Sequence, residues 1–387
     1  MRTLLTIGIV GLGLLAGPAR GEEKKTAAPA LTNYFPAPES KGGWRSLLPE
    51  KGEPSDEQKA AIAKTTGVDY DKLKAAWEHN AAAEGKTGLL VIRKGQIVGE
   101  WYKDCDRATT FNIYSSSKVY TSLAFGLLQA DSSTGKLPGG KNLTLDTKVC
   151  NADFLPEALP LSDPRKADIT LRHLLNMASG IADPKMGGVP AEAPFETALG
   201  KTDKSPFAKL DADPGTKFNY SNGGVAHLVL VFNRAAGRDL FPFLKERVFD
   251  PIGMEKITWQ QIGGSGHLGP LSQGYSGVTT TAREHARFCY LALHKGDWAG
   301  KRVAPAAHYD FAWEGTKNKP DYGAQWWVYP RHKDAPKDMV QTAGARVNHG
   351  FVVPSLDLIV VRLGDGQKYP KEFEQDLIKK VLAAVSK

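Results

Sequence analysis

The chain has 387 residues, of which 41% are hydrophobic and 24% are charged, and its formal net charge is +8. This composition is that of a globular protein, and it excludes a disordered chain, a collagen-like repeat and a membrane-embedded bundle. The positive charge forms no concentrated Lys/Arg stripe with interleaved aromatic residues, so nucleic acid is not an expected partner.

The first 21 residues have the pattern of a signal peptide. A positive start at Met1-Arg2 is followed by an apolar run over residues 3–17 and by small residues on both sides of Arg20. The run is short for a transmembrane helix, no cysteine follows it as in a lipoprotein, and no later stretch is apolar enough to span a bilayer. We therefore predict an exported bacterial protein, periplasmic or secreted, with no membrane contact beyond this peptide. An uncleaved N-terminal anchor is the alternative.

After the signal peptide, the pattern predicts a short segment and one folded domain. Residues 22–55 are rich in Pro, Gly, Lys and Ala, which is typical of a linker or a surface wrap. Residues 56–387 carry the periodicities of a domain. Its predicted helices cover residues 56–84, 116–130, 170–175, 223–236, 282–294 and 373–385, and its predicted strands cover residues 88–93, 96–102, 348–353 and 356–362.

The order of these elements predicts the fold class. One pair of strands, joined by a Lys94-Gly95 turn, lies near the start of the domain, and a second pair lies near its end, with helices between them. This order favours an α/β fold in which an antiparallel sheet, built from both ends of the domain, is flanked by helices and joined to a mostly helical region.

Three cysteines are present, and they lack the Cys-x-x-Cys spacing of a zinc site. Cys105 and Cys150 lie on either side of residues 111–118, and export would allow them to form a disulfide. Cys289 lies in an apolar helical pattern, where a buried thiol is expected. We predict no metal site.

A serine and a lysine three residues apart, Ser115 and Lys118, are the first candidates for chemistry. On a helix this spacing puts both side chains on one face. A serine hydroxyl is a weak nucleophile that needs a base beside it, and a buried lysine of lowered pKa can be that base. A helix start would also favour an oxyanion. A helix N-cap serine is the alternative for Ser115. The same letters recur at Ser133 and Lys136, but in a Gly-containing loop that need not bring the side chains together.

A second group of candidates lies in the turn that contains Tyr220 and Asn222. A tyrosine and an asparagine two residues apart in a turn can both point into one cleft. Near Lys118, Tyr220 would exist partly as phenolate and carry the catalytic proton. Asn222 would hydrogen-bond Lys118 and a substrate carbonyl. A tyrosine on the surface of a turn is the alternative.

In this order and spacing the two motifs resemble the serine β-lactamase and penicillin-binding-protein superfamily, and most closely its class C-like branch of esterases and amide hydrolases. The resemblance covers roughly residues 70–385, with framework segments at residues 169–180, 277–283 and 351–358. It implies that Ser115 is the nucleophile, that Lys118 and Tyr220 move the proton, and that Asn222 contacts the substrate.

The same resemblance implies a third motif on a strand near the end of the domain. The matching position is Thr342-Ala343-Gly344. Gly344 would let substrate lie close to the strand, and the backbone N–H groups of Ala345 and Ser115 would form an oxyanion hole. Lys86-Thr87-Gly88 matches the family's letters but precedes Ser115 in the chain, which excludes it.

The third motif departs from the family pattern, because Thr342 stands where β-lactamases and peptidases have a cation that holds the substrate carboxylate. Arg346 is the candidate replacement for that cation. Asn348 and His349 are candidates for the lining of the cleft, with polar strand-edge residues as the alternative. We therefore favour neutral ester or amide substrates.

The sequence as a whole predicts a serine hydrolase that cleaves an ester or amide bond of a small molecule through an acyl-enzyme on Ser115, with no metal or organic cofactor. A β-lactamase or D-Ala-D-Ala-directed peptidase is the first alternative. A non-catalytic cell-envelope binding protein with the same fold is the second. The natural substrate, the oligomeric state and the pairing of the cysteines stay open.

Overall fold

A computed structural model describes residues 32–183, 189, 193–263 and 269–386, so the predicted signal peptide lies outside the described residues. The strands are β1 (Thr87–Arg93), β2 (Gln96–Lys103), β3 (Phe111–Asn112), β4 (Ile257–Trp259), β5 (Gln261–Ile262), β6 (Leu271–Ser272), β7 (Val278–Thr280), β8 (Asp297–Trp298), β9 (Lys301–Arg302), β10 (Trp327–Val328), β11 (Val340–Gly344), β12 (Asn348–Val353) and β13 (Leu358–Gly364). The α-helices are α1 (Asp56–Thr66), α2 (Tyr70–Ala81), α3 (Lys118–Ser133), α4 (Leu171–Leu175), α5 (Pro194–Leu199), α6 (Asn222–Ala236), α7 (Leu240–Leu244), α8 (Ala282–Leu293), α9 (Ala306–Ala312) and α10 (Phe373–Ala383).

A six-stranded antiparallel sheet forms the framework, in the order β10-β11-β12-β13-β1-β2. β1 and β2 are joined by Lys94 and Gly95, whose φ angles of 49° and 72° suit the tight turns of β-hairpins. β1 also pairs with β13, with Thr87 opposite Gly364. Strands from both ends of the domain therefore share one sheet, and the predicted fold class, an antiparallel sheet flanked by helices with a mostly helical region, is confirmed.

Both faces of this sheet are covered, and its apolar residues alternate between two cores. In β1, Leu90 and Ile92 belong to the core that includes α3 and α8, whereas Leu89 and Val91 belong to the core that includes α2 and α10. Successive residues of a strand point to opposite faces, so every residue of β1 is buried. An apolar run without alternation is the sequence pattern expected of such a strand.

The helical region lies on the α3 side of the sheet. All residues from 118 to 128 of α3 are buried, so this helix runs through the interior. α6 packs on α3, and α8 lies against β12 and β13. The turn that precedes α3 contacts β11 and β12. The start of α3, next to Ser115, therefore lies where the helical region meets the sheet.

Several predicted elements differ from the observed ones for local reasons. The helix predicted over residues 56–84 is two helices, because Gly67, with a φ of 73°, ends α1, and the Asp69 side chain caps α2. The last predicted strand begins only at Leu358, because Asp357 adopts a φ of 44°. The sequence does not predict β3 to β10, since runs of two or three residues carry no periodicity.

Residues 32–54 lie over the surface of the domain and are held there by charged side chains. Glu39 forms ion pairs with Arg283 and Arg287 of α8, at 2.9 and 3.1 Å. Trp44 is buried in the core on that side. These residues belong to the same compact unit as the rest of the described chain.

All three cysteines are free thiols, so the disulfide considered between Cys105 and Cys150 is absent. The Cys105 thiol donates to the Thr87 carbonyl at 3.6 Å, beside β1, whereas Cys150 is buried in the helical region. Cys289 is buried in α8, as its helical pattern predicts. Across the described part of the chain, no helix is both long enough and apolar enough to cross a membrane.

Candidate active site

Ser115 lies in a single 3₁₀ turn, Tyr114–Ser117, that leads into α3. This turn replaces the predicted helix start, and because residues i and i+3 of a 3₁₀ turn eclipse each other, Ser115 and Lys118 still face the same way. Tyr114 has a φ of 49°, in the left-handed region, and its N–H donates to Asn112 Oδ1 at 2.8 Å. This side-chain bond holds a strained backbone conformation immediately before Ser115.

The Lys118 amine is surrounded by three oxygen atoms. Its Nζ lies 3.1 Å from Ser115 Oγ, 2.7 Å from Asn222 Oδ1 and 2.7 Å from the Tyr275 carbonyl oxygen. Lys118 as a whole is only 1% exposed. The fold therefore brings the Ser115 and Asn222 side chains within hydrogen-bonding reach of the Lys118 amine.

The number of hydrogens on Nζ decides how Lys118 acts on Ser115. The Asn222 and Tyr275 carbonyl oxygens can only accept hydrogen bonds. A neutral amine has two hydrogens, and these two oxygens take both, so its lone pair is left to face Ser115 Oγ and can accept the hydroxyl proton. A charged ammonium has a third hydrogen, which it donates to Ser115 Oγ, and proton transfer is then blocked.

The neutral form of this amine is accessible near neutral pH. Burial lowers the pKa of Lys118 to about 7, while the negative charge of Asp183 opposes the shift. Loss of hydration disfavours the charged form of a buried amine, so the shift has the direction predicted from the sequence. A base is most effective when its pKa lies near the working pH, so Lys118 is suited to general-base chemistry.

Tyr220 lies beside the same amine. Lys118 Nζ is 4.9 Å from the centre of the Tyr220 ring, and the Tyr220 hydroxyl shares a hydrogen bond with the Ser115 side chain. Burial raises the pKa of Tyr220 to about 12, because it outweighs the hydrogen bond to Ser115, which lowers this pKa. The predicted partial phenolate is therefore wrong. The neutral hydroxyl still donates and accepts, so it can pass a proton between Ser115 and a leaving group.

The motifs do not include Asp183, which the fold also brings to this site. Its carboxylate accepts a hydrogen bond from the Asn222 N–H at 3.1 Å. Its charge raises the pKa of both Lys118 and Tyr220. Asp183 follows α4 in a segment without helical or strand periodicity, and only the folded chain places it near Lys118, so the sequence offers no signal for it.

The end of β11 lies directly against the turn that holds Ser115. A Cβ at Gly344 would lie 2.0 Å from the Ile113 carbonyl oxygen, so only glycine fits there. The predicted reason for this glycine, room for substrate, is wrong at the Cβ position, because the turn itself fills that space. The end of β11 therefore packs against the segment that leads into Ser115.

The other residues of the third motif do not present a cation to Ser115. Thr342 is buried, and its hydroxyl contacts Ser116 Oγ and His285 Nε2 at 3.1 and 3.0 Å. The Arg346 guanidinium is turned to the Asp365 carbonyl, to which it donates at 2.9 Å. The same guanidinium lies 5.3 Å from the centre of the Tyr114 ring, so it is held by a backbone carbonyl and an aromatic ring and is not the free cation that the sequence suggests for a substrate carboxylate.

Asn348 and His349 do not line the cleft, so this prediction is wrong. Asn348 is fully buried, and its amide donates to the Gly364 carbonyl at 2.9 Å. His349 lies on the opposite face of β12, where its Nδ1 is 2.9 Å from Gln341 Nε2. Adjacent residues of a strand point to opposite faces, and the face that His349 takes is the one that α10 covers with Glu374.

Aromatic rings form a wall beside Tyr220. The Tyr322 ring meets the Tyr220 ring edge to face at 6.2 Å, and the Trp327 ring lies nearly parallel to it at 6.5 Å. Tyr322 is buried, whereas Trp327 is partly exposed. An apolar wall next to a few polar groups is the usual composition of a small-molecule site. Within residues 32–183, 189, 193–263 and 269–386, no three His, Cys, Asp or Glu side chains are grouped to hold a metal ion.

Comparisons with known proteins agree with this fold. Residues 75–385 match the Beta-lactamase family. A penicillin-binding protein homologue from Caulobacter crescentus is 14% identical with a TM-score of 0.63, over 82% of this chain and 97% of that one. A family VIII carboxylesterase is 16% identical with a TM-score of 0.62, over 82% and 97%.

A D-stereospecific amidohydrolase from Streptomyces sp. is 15% identical with a TM-score of 0.60, over 82% of this chain and 100% of that one. At these identities the solved structures share the fold with this chain. The comparison with curated protein sequences finds no match. Because the family match spans most of its length, the chain belongs to the Beta-lactamase family of hydrolases.

Proposed function

We propose that the protein is a serine hydrolase that cleaves an ester or amide bond of a small molecule through an acyl-enzyme on Ser115. The observation that carries this proposal is the position of Lys118 Nζ, 3.1 Å from Ser115 Oγ, with two carbonyl oxygens at its other hydrogen-bonding positions. A non-catalytic binding protein has no need of a buried amine beside a serine, because burial of a charged or polar group costs free energy.

The reaction begins when neutral Lys118 takes the proton of Ser115 and Oγ attacks the substrate carbonyl carbon. The backbone N–H groups of Ser115 and Ala345 stabilise the negative charge that develops on the carbonyl oxygen. Tyr220 gives its proton to the leaving alcohol or amine and recovers one from Lys118. Water then attacks the acyl-enzyme with the same groups acting in reverse, which releases a carboxylic acid and restores Ser115.

The substrate class is proposed from the charges around this group. Thr342 is uncharged, and Arg346 is bound to the Asp365 carbonyl, so neither of these positions offers a cation to a substrate carboxylate. The partly exposed rings of Tyr220 and Trp327 offer apolar surface, and the nearest cation to them, the Arg331 guanidinium, is already stacked 4.1 Å from the centre of the Trp327 ring. Both features support neutral esters and amides over penicillin-like substrates.

Labelling with a fluorophosphonate tests the proposed nucleophile. The wild-type protein is expected to label, Ser115→Ala is expected to lose labelling, and Ser133→Ala, in the other copy of the motif, is expected to label fully. Ser133 is exposed at the end of α3, which makes it a matched control. Failure of the wild-type protein to label at any pH between 5 and 9 supports the binding protein and overturns the hydrolase.

A panel of p-nitrophenyl esters, D-amino-acid amides and nitrocefin tests the substrate class. Turnover of the esters or amides well above that of nitrocefin is expected. Faster steady turnover of nitrocefin, or release of D-Ala from a D-Ala-D-Ala peptide, identifies the β-lactamase or peptidase alternative and contradicts the preference for neutral substrates.

We also propose export to the periplasm or the medium, from the signal-peptide pattern of residues 1–21. Expression of the full chain in a bacterium should yield a protein in the periplasm or medium whose mass lacks about the first 21 residues, the length of the apolar pattern and its cleavage site. Full-length protein in the membrane fraction identifies the uncleaved anchor, and full-length protein in the cytoplasm contradicts export.

A further inference from the structure

A chain of hydrogen bonds runs through the interior from α8 to the turn that holds Ser115. Tyr120 OH is 2.9 Å from His285 Nδ1, and His285 Nε2 is 3.0 Å from Thr342 Oγ1. Thr342 Oγ1 is 3.1 Å from Ser116 Oγ, which is 2.6 Å from the Asn348 carbonyl oxygen. The four side chains are fully buried. None of the four side chains is charged near neutral pH, because burial lowers the pKa of His285 to about 3 and keeps its ring neutral.

The donor in each of these hydrogen bonds can be deduced, because the chain of groups contacts one backbone carbonyl, which can only accept, and one backbone N–H, which can only donate. The Asn348 carbonyl can only accept, so Ser116 donates to it and must accept from Thr342. The Gly350 N–H can only donate, and it donates to Thr342 Oγ1 at 2.9 Å. A hydroxyl has one hydrogen and two lone pairs, so Thr342, which gives its hydrogen to Ser116, must accept from His285 as well.

His285 is therefore protonated on Nε2 and accepts the Tyr120 hydroxyl hydrogen on Nδ1. Every donor and acceptor in the chain is satisfied in this arrangement alone. The backbone is shaped around it: a Cβ at Gly350 would lie 2.9 Å from His285 Nε2 and 2.6 Å from Cys289 Sγ, so a larger residue at position 350 would push the ring away.

The chain of hydrogen bonds connects the two sides of the proposed oxyanion hole. Ser116 directly follows Ser115, whose N–H is one donor to the oxyanion. Thr342 lies on β11, three residues before Ala345, whose N–H is the other donor. The separation of the two donors depends on how closely β11 is held to the turn, and donors must stand about 2.7–3.1 Å from the oxyanion to stabilise it.

We propose that His285 is a positioning residue, which in its Nε2-protonated form holds Thr342 and Ser116 together and so sets the spacing between the Ser115 and Ala345 N–H groups. This inference rests on the proposed hydrolase function. His285 touches no substrate and moves no proton in the reaction. Its role is to donate one hydrogen bond to the Thr342 hydroxyl, whose other lone pair accepts from the Gly350 N–H.

Three variants test this role by steady-state kinetics on a p-nitrophenyl ester. His285→Leu removes the donor, and kcat is expected to fall about 100-fold with KM changed little, the size of effect that misplaced catalytic groups produce. His285→Gln restores an N–H donor at a similar reach, and kcat should return to within about fivefold of wild type, since one neutral hydrogen bond is restored. His308→Leu is the control, because His308 is also buried and packs on Gly126 of α3, outside this chain of hydrogen bonds.

The protonation of His285 is measured separately, by long-range ¹H–¹⁵N NMR on the wild-type protein with labelled histidine. The chain has nine histidines, and the His285 signals are assigned by their loss in His285→Gln. The pattern of an Nε2–H ring is expected. An Nδ1–H ring overturns the inference even if the Leu variant fails to fold.

The kinetic outcomes separate this inference from the proposed function. If the wild-type protein turns over esters and His285→Leu matches it in kcat, the positioning role is wrong and the hydrolase stands. The role is also wrong if His285→Gln is as impaired as His285→Leu. If the wild-type protein neither turns over esters nor labels with fluorophosphonate, the hydrolase proposal fails. The positioning role then fails as well, because it rests on that proposal.

Discussion

The variant Lys118→Met removes the proposed base while keeping an unbranched side chain of similar length in the same buried space. It leaves the Asn222 and Tyr275 oxygens, both at 2.7 Å from Nζ in the wild-type protein, without their donor. Loss of a general base slows a reaction by roughly 10²–10⁴-fold, so acylation of Ser115 should slow by that factor. The two unpaired oxygens destabilise the fold by about 1–3 kcal/mol each, while removal of the buried polar amine, whose desolvation is itself unfavourable, offsets part of that loss.

The pH dependence of acylation gives a more specific expected magnitude than the variant does. With a pKa of about 7, the amine of Lys118 is neutral in about nine molecules of ten at pH 8 and about one in ten at pH 6. The acylation rate constant kcat/KM should therefore rise about tenfold per pH unit below 7 and level off above 8. An amine at the ordinary value of 10.5 would have roughly a thousandfold less neutral form at pH 7.

The assay is the second-order rate of fluorophosphonate labelling between pH 5 and 9, because it reports acylation without a coloured product whose absorbance changes with pH. Lys136→Met, in the exposed second copy of the motif, is the control and should behave as wild type. The reasoning is refuted if Lys118→Met labels within tenfold of wild type at pH 8, or if the wild-type midpoint lies above pH 9.

Three further predictions follow, two of them for this site and one for the face of the sheet that α10 covers. Asn222→Asp places a carboxylate beside the Lys118 amine and favours its charged form, so the midpoint of the labelling profile should move above pH 7. Asp183→Asn removes a negative charge near the same amine, so the midpoint should move below pH 7. Equal midpoints in the two variants contradict the electrostatic account. Gly344→Ala places a Cβ 2.0 Å from the Ile113 carbonyl oxygen, so labelling should fall at least tenfold and the melting temperature should drop. Gly263→Ala is the control and should change neither, because nothing lies within 4 Å of its Cβ position. Burial raises the pKa of Glu374, but hydrogen bonds from His332 and Gln341 together with nearby positive charge outweigh it and hold this pKa well below its ordinary value of 4.5. The carboxylate therefore stabilises the fold above about pH 4.5 and loses that effect as the pH falls. Glu374→Gln should cost about 2 kcal/mol of unfolding free energy at pH 7, with a deficit that shrinks below about pH 4 in a denaturation series, and a deficit independent of pH contradicts this account.

Local spacing in the sequence was sufficient to predict the pairing of Ser115 with Lys118. Residues three apart on a helical or 3₁₀ turn face the same way whatever surrounds them, so the inference survives the change from a predicted helix start to a 3₁₀ turn. The sheet could be predicted for a similar reason, since the apolar run of β1 and its Lys94-Gly95 turn are local patterns.

Contacts between distant segments decided the protonation states and the neighbours of the site residues, which the sequence could not predict. The phenolate predicted for Tyr220 is wrong because the degree of burial, which raises its pKa to about 12, is set by elements such as β10 that the sequence does not predict. Gly344 is a glycine because of the Ile113 carbonyl, far away in the chain. Asp183 and His285 have no motif at all.

The sequence by itself therefore determined the fold class, the family resemblance and the local pair of Ser115 and Lys118, because helix and strand periodicity and short spacings are properties of neighbouring residues. The tertiary structure alone decided which groups are charged and which hydrogen bonds are made. Desolvation and hydrogen-bond satisfaction depend on atoms contributed by segments that meet only when the chain folds.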